Sequence, residues 1–522
     1  MISILVLIII PPLLSQPPNI LLIMVDDLGW GDVGWNNPIM ADVTPTLDKL
    51  AKNGVILSQY YVQQVCTPSR VALMTGMYPF HIGHQKQTIK PLMPTGLTLN
   101  RTLLPEQLSR LGYKTHMVGK WHLGFCRWEY TPTMRGFHSF FGFYTGAGGH
   151  FSHMRGKGYD FRRNTRALPN VRGVYSTNLL TDKTVDIIEK NNYKKDPLFL
   201  YLSFQAVHAP LEVPDKYLSI VRSTGNKVRD VYRAMVYAVD EGVGRIVRTL
   251  KRVGEWRNTV LVFTTDNGGA VSKGGNNHPL RGTKGTLFEG GTRGVAFISG
   301  GRIARSGVII SDLVHITDWY PTILAAAGDS EADTGIDGIN QWGVIDRGEE
   351  GTRKEMVYNL KIKPLQGAIR MGKYKLMFSQ KFHKDKWFNI DNKVNNKSSH
   401  SPHLTFPRTF LKNTFDNEDS DLEKKTRTFK PYQKKNANKN VKKIDAQILF
   451  DKRWSMLKKY LFNLDIDPEE RYDLKKNKRN VVEMLRKKAR DLFATIVPAD
   501  FPDPVFEGKP KYFNKIWSPG WC

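Results

Sequence analysis

The chain has 522 residues, 40% of them hydrophobic, and a formal net charge of +28. That length holds one large domain plus a smaller one with sizeable cores, and the apolar fraction excludes a wholly disordered chain. The charge draws polyanions to the surface, but no helix-turn-helix, RNP, zinc-finger or bZIP signature supports nucleic acid as the partner.

The first ten residues, MISILVLIII, are almost wholly apolar and run into Pro11-Pro12. Too short to span a bilayer, they read as a signal peptide over 1–18, with the mature chain entering the secretory pathway and carrying no transmembrane anchor. The run from Asn19 to Val25 is a short, continuous apolar strand that ends in Asp26-Asp27. Leu198 to Phe204 repeats the pattern and leads to His208; Thr259 to Thr265 does so again and ends at Asp266-Asn267. Runs of this kind are strands buried on both faces. Helical patterns fall between them, at Thr46–Asn53, Leu104–Leu111, Asn178–Lys190 and Val231–Val253. Alternation of this kind predicts an α/β domain over 19–355, a mainly parallel sheet sandwiched by helices.

Residues 356–522 predict a smaller α+β domain with an antiparallel sheet. Its first hairpin lies over Gln366–Arg370 and Lys373–Phe378, order resumes at Tyr460–Leu464, and a helix spans Asn480–Ala494. Between them, about 380–450 is a Lys- and Asn-rich insert with little periodicity, read as a long loop. Residues 381–459 hold 20 Lys and Arg against 9 Asp and Glu, so the insert explains only part of the excess charge.

Open α/β sheets place their sites at the C-terminal ends of the strands. Asp26-Asp27 and Asp266-Asn267 stand there. Either pair alone is more readily a turn cap; both at buried strand ends in one sheet favour a metal site. Three carboxylates and an amide on one point need a hard divalent cation, Ca²⁺ or Mg²⁺, to neutralise them. Gly119-Lys120-Trp121-His122-Leu123-Gly124 brackets an anion-holding Lys and a proton-shuttling His; otherwise it is a surface loop. His208 and Lys284 are a second histidine and a further cation, unless they are a hydrogen-bonded core residue and an ordinary surface lysine. Of three cysteines, Cys66 opens Cys66-Thr67-Pro68-Ser69-Arg70 just before a helical run, where developing negative charge is favoured. Cys126 and Cys522 either pair or stay as thiols, which the sequence leaves open. Asn100 and Asn396 head two glycosylation sequons.

Together, VDDLGWGDVGW, CTPSRVALMTG, THMVGKWHLG, LFLYLSFQAVHAPL, FTTDNGG, GGNNHPLRGTKGTLFEGGTRG, LVHITDWYPTIL and LFNLDIDPEERYDL resemble the sulfatase family, most of all the arylsulfatase B-like N-acetylgalactosamine-4-sulfatases. The resemblance implies an alkaline-phosphatase-like fold and a lysosomal or secreted glycoprotein. It implies that Cys66 is oxidised by a formylglycine-generating enzyme, and that the hydrated aldehyde attacks the sulfur of a sulfate monoester. It implies one Ca²⁺ held by Asp26, Asp27, Asp266, Asn267 and residue 66. Arg70 and Lys120 would position the modified residue, and His122 would deprotonate the hydroxyl that releases sulfate. His208 and Lys284, with Lys120, would bind the sulfated sugar or aryl sulfate and assist the departing alcohol. The 4-sulfate of N-acetylgalactosamine in chondroitin or dermatan sulfate is the implied target. Family members usually carry Arg after the Thr-Gly that follows the cysteine motif; here it is Met77, which weakens the match to what the modifying enzyme reads. Two other readings stand beside this one: a phosphate ester hydrolase of the same superfamily, and an inactive polyanion-binding protein of sulfatase fold.

Overall fold

The structure is a computed structural model that describes residues 16–329, 335–391 and 446–522. Most of the predicted signal peptide, most of the Lys- and Asn-rich insert and the Asn396 sequon lie outside the described residues.

The large sheet has ten strands: β1 (Asn19–Val25), β2 (Val55–Leu57), β3 (Lys114–Lys120), β4 (Ser139–Phe143), β5 (Arg162–Arg163), β6 (Arg166–Ala167), β7 (Leu198–Ser203), β8 (Thr259–Thr265), β9 (Ala296–Ser299) and β10 (Val308–Ile310). Their spatial order is β10-β2-β9-β8-β1-β7-β3-β4-β5-β6. The centre, from β8 to β4, is parallel, and antiparallel pairs join β9 to β8 and β5 to β4. The α/β expectation is therefore met.

Side-chain alternation explains the two covered faces. Ile20, Leu22 and Met24 of β1 point to a core shared with α2 (Cys66–Thr75) and α3 (Leu104–Arg110). Leu21, Ile23 and Val25 point to the opposite core, closed by α1 (Pro45–Lys52), α4 (Ser176–Lys190) and α5 (Lys227–Arg252). All seven residues of β1 are buried, which is why a continuous apolar run, not an alternating one, encodes it.

The second sheet is antiparallel, in the order β11 (Glu355–Lys361), β12 (Gln366–Met371), β13 (Tyr374–Ser379) and β14 (Lys458–Asn463). One face, with Ile369, Leu376 and Phe378, packs on α6 (Ala446–Arg453) and α7 (Arg479–Phe493) through Phe450, Leu485 and Phe493. The other, with Tyr358, Ala368 and Met377, packs on Tyr61, Leu287 and Phe288 of the large domain.

Three features add to the sequence reading. Both ends of the insert are anchored: residues 381–391 lie against the large domain, where Gly282 donates its N–H to Lys386 O at 2.9 Å, and α6 is ordered around Phe450. Residues 497–522 return to the large sheet, burying Trp517 and Trp521 in its core. There Cys126 and Cys522 form a disulfide, with 5.5 Å between their Cα atoms. Among the described residues, no helix is long and apolar enough to cross a membrane.

Candidate active site

Strand register assembles the acidic half of the site. β1 and β8 lie abreast with Val25 opposite Thr265, so the next residues, Asp26-Asp27 and Asp266-Asn267, emerge side by side. On the other flank of β1, Met24 lies opposite Ser203 of β7, which lies opposite Gly119 of β3. The next place along, Lys120 falls level with Val25, one residue short of Asp26, and Lys120 and Asp26 form a short buried ion pair. Gly119 has φ +111°, and a Cβ there would sit 1.9 Å from Ser203 O; only glycine allows β3 this close approach.

Thr67, Ser69 and Arg70 of the cysteine motif each have a visible task. Cys66 is the first residue of α2, whose ten residues are all buried. Thr67 Oγ1 donates to His122 O (3.1 Å) and accepts from Ile89 N (3.1 Å). Ser69 Oγ accepts from Gln63 N at 2.9 Å, closing the turn that precedes the helix. Arg70 donates from Nε and Nη2 to Asp266 Oδ2 (3.2 and 2.9 Å), from Nη1 to Ser203 Oγ (2.6 Å), and lies 3.7 Å from Asp26.

Cys66 Sγ lies 3.4 Å from Asp26 Oδ1 and 3.4 Å from Lys284 Nζ. Lys284 also donates to Asp27 Oδ1 at 2.5 Å. His208 Nε2 stands 3.8 Å from Asp27 Oδ2, while its Nδ1 donates to Ala209 O at 2.6 Å, so both ring nitrogens face oxygen acceptors. Cys66 is 1% exposed, whereas the side chains of Lys284 and His208 are 19% and 24% exposed. The two bases are the mouth of the pocket and the cysteine is its floor.

The electrostatics follow. Burial pushes the Asp26 carboxyl up, but Lys120 and then His208 outweigh it and hold the group below the usual carboxylate range. Burial likewise raises Asp27, and Lys284 reverses it. The Lys284 ammonium is penalised by burial yet held well above its ordinary value by Asp27. Burial, followed by Asp26 and Asp266, pushes the Cys66 thiol up. His122 is held well below its ordinary value by burial and then by Lys120 and Arg70. Its Nε2 faces Ile89 O at 3.2 Å, so that nitrogen carries the proton, because a carbonyl only accepts. Nδ1 is left as a buried acceptor with no partner among the described residues.

The donor set fits a metal ion. Asp26, Asp27, Cys66 and His208 offer ligand atoms that all lie within 4.8 Å of one another. Asn267 Nδ2 donates to Asp27 Oδ1 at 2.8 Å, while Asn267 Oδ1 is buried without a partner among the described residues. An orphaned amide oxygen beside carboxylates suits a hard cation. Two residues here have left-handed backbone, Asp27 (φ 63°) and His122 (φ 58°); such conformations are strained for non-glycine residues and cluster at working sites.

The ten residues expected to serve catalysis, substrate or metal thus lie together in one site. Sequence reasoning missed its supports. Tyr201 and Ser203, two apart on β7, face Arg70 (3.5 and 2.6 Å). Gly146 lies against the His122 ring, where a Cβ would come within 2.4 Å of Cε1 and Nε2. The 150–153 loop touches His208. Only the i, i+2 spacing on β7 carried a signal.

Fold and site together suit an enzyme acting on an anionic group, with partly exposed Lys284 and His208 over a buried acidic cluster. Comparison with known proteins sharpens this. The Sulfatase family model matches residues 18–329. Arylsulfatase J of Mus musculus is 34% identical over 97% of this chain and 80% of its own length. N-acetylgalactosamine-6-sulfatase of Mus musculus is 32% identical over 69% of this chain and 72% of its own. The crystal structure of Ps i-CgsB in complex with k-i-k-neocarrahexaose superposes with a TM-score of 0.73 at 27% identity, covering 96% of this chain and 98% of that one. The chain belongs to the sulfatase family and is a sulfuric ester hydrolase. These relatives do not single out the 4-sulfatase type that the sequence motifs resembled.

Proposed function

We propose that this protein hydrolyses a sulfate monoester on a sugar, with residue 66 converted to formylglycine and Ca²⁺ bound by Asp26, Asp27, Asp266, Asn267 and residue 66. One observation carries the reading: the side chain of residue 66 sits on the floor of a pocket between Asp26 and Lys284, 3.4 Å from each. A hydrated aldehyde at that position supplies a geminal diol, one oxygen to attack sulfur and the other to expel sulfate as the carbonyl re-forms. The cation, when bound, neutralises the carboxylates and polarises a sulfate oxygen.

The chain's own residues do the rest. Lys284 and Lys120 hold the anion as point charges in a water-poor pocket, where such charges act strongly. His208, at the mouth, holds a proton for the departing alcohol. His122 presents an unprotonated Nδ1 in a pocket floor that excludes water, and takes the proton of the hydroxyl that releases sulfate. Arg70 stays fixed behind the site, orienting Asp266 and Asp26.

The natural substrate we infer is sulfated N-acetylgalactosamine in chondroitin or dermatan sulfate, with the 4-sulfate as the expected position. The name of the 6-sulfatase relative makes the 6-position its rival. A secretory route, lysosomal or extracellular, is supported by the Cys126–Cys522 disulfide and the exposed Asn100. The test is turnover of 4-nitrophenyl sulfate, then of 4- and 6-sulfated chondroitin disaccharides, by protein co-expressed with a formylglycine-generating enzyme. Release of sulfate from the 4-sulfated sugar is expected. Preference for the 6-sulfated sugar would overturn the positional assignment, and preference for 4-nitrophenyl phosphate would overturn the reaction class.

A further inference from the structure

His208 is held by a residue that no sequence signal marked. His150, 0% exposed, lies in the loop after β4. Its Nε2 meets the carbonyl oxygen of His208 at 3.0 Å and its Nδ1 meets Ser176 Oγ at 2.9 Å. Since a carbonyl only accepts, Nε2 carries the proton; Nδ1 then accepts from the Ser176 hydroxyl, which fixes one tautomer. Burial pushes the ring down to about 4, so this donor arrangement is kept at neutral and mildly acidic pH.

The backbone that carries this imidazole is itself clamped. His150 N–H donates to Glu212 Oε2 at 2.6 Å, and Ser176 N–H donates to His150 O at 2.8 Å. A second cross-link runs the other way, from the Gln205 side-chain amide to Gly148 O. The peptide that carries His208 is therefore pinned on both sides, its N–H on Gln205 O (3.0 Å) and its carbonyl on His150. Side-chain direction follows backbone orientation, and among the described residues the His208 ring nitrogens meet Ala209 O and the Asp27 carboxylate. Among the described residues, His150 is the one hydrogen-bond partner of that carbonyl.

We propose that His150 is a positioning residue for the step His208 serves: it sets the His208 peptide so that the imidazole meets the leaving oxygen. This rests on the role given to His208 above. The consequence is selective. Protonation matters little when the leaving group is an acidic phenol and much when it is a weakly acidic phenol or an alcohol, so the demand on His150 rises with leaving-group basicity.

The experiment measures kcat/KM for wild type, His150→Ala and His150→Gln on a series of aryl sulfates of graded phenol acidity, with thermal melting of each variant. His150→Ala should lose less than about 3-fold on the most acidic phenol and roughly 10- to 100-fold on the least acidic. His150→Gln, whose amide N–H restores a donor to the carbonyl, should recover much of the slope. An equal loss across the series, or a Gln variant as steep as Ala at unchanged melting temperature, overturns the proposal. Should His150→Ala not fold, Ser176→Ala, which removes the group fixing the tautomer, is read on the same series, and an unchanged slope there counts against it. Wild type that turns over no sulfate ester refutes the functional reading itself; active wild type with an unaltered slope in the variants refutes only the role of His150.

Discussion

Two clusters of buried charge lie close together and do different work. In the first, Asp26, Asp27 and Asp266 meet Lys120, Arg70 and Lys284. In the second, Arg229 joins Asp32 (2.5 Å) to Asp391 (2.8 Å), and Asp32 also accepts from Gly29 N, Asn276 N and Tyr232 OH. Asp391 is further bonded by Asn37 and Asn276, and Arg229 spends another N–H on Gly274 O. Every charged atom there has a partner, and the cluster is shut from solvent. It ties the 381–391 segment and α5 to the turn after β1. Among the described residues, the first cluster keeps an orphaned Asn267 oxygen and an orphaned His122 nitrogen, two strained backbones, and a mouth of partly exposed Lys284 and His208. Burial and charge alone do not mark a catalytic site; unfilled hydrogen-bonding capacity beside strain and access does.

The largest effects should separate the two clusters. Cys66→Ala should abolish turnover, by at least ~10⁴-fold in kcat, with little change in melting. Arg229→Ala leaves two buried carboxylates without their cation and should cost about 3–5 kcal/mol of stability, read by denaturant or thermal unfolding, while folded enzyme keeps its activity. Reversed outcomes would break the distinction. Next, Gly146→Ala forces the His122 ring to shift; a displacement of this size costs on the order of 10²-fold in rate. Accumulation of sulfate ester on residue 66 in that variant would place the loss at the His122 step, whereas a loss in KM alone would not. Smallest in stability, and confined to the first cluster, is chelation. Removing a bound divalent ion should lower the melting temperature of wild type and leave an Asp27→Ala variant, itself less able to bind the ion, almost unresponsive. An equal response in the two would locate the ion elsewhere.

The fold was legible where burial on both faces forces an apolar run. β1, β7 and β8 are encoded that way, and their acidic or histidine ends followed directly. β3 was not, because Lys114 and His116 are half-exposed and interrupt the run; Lys120 and His122 therefore read only as a short segment between glycines, although Lys120 ends a central strand. α6 was hidden at the end of a Lys-rich stretch, because the helix buries one residue, Phe450. The Cys126–Cys522 disulfide joins residues 396 apart in sequence, and no local pattern encodes such a contact. His150, Gly146, Tyr201 and Ser203 gain their roles from neighbours delivered by other strands and loops, so their types alone are silent.

The central claim is that the side chain on the pocket floor is not a thiol in the working enzyme. The direct measurement is the mass of the proteolytic peptide containing residue 66, taken from protein made in a secretory host and active on 4-nitrophenyl sulfate. The account predicts the aldehyde or its hydrate in proportion to activity. Full activity in protein whose residue 66 has the mass of an unmodified cysteine would contradict it.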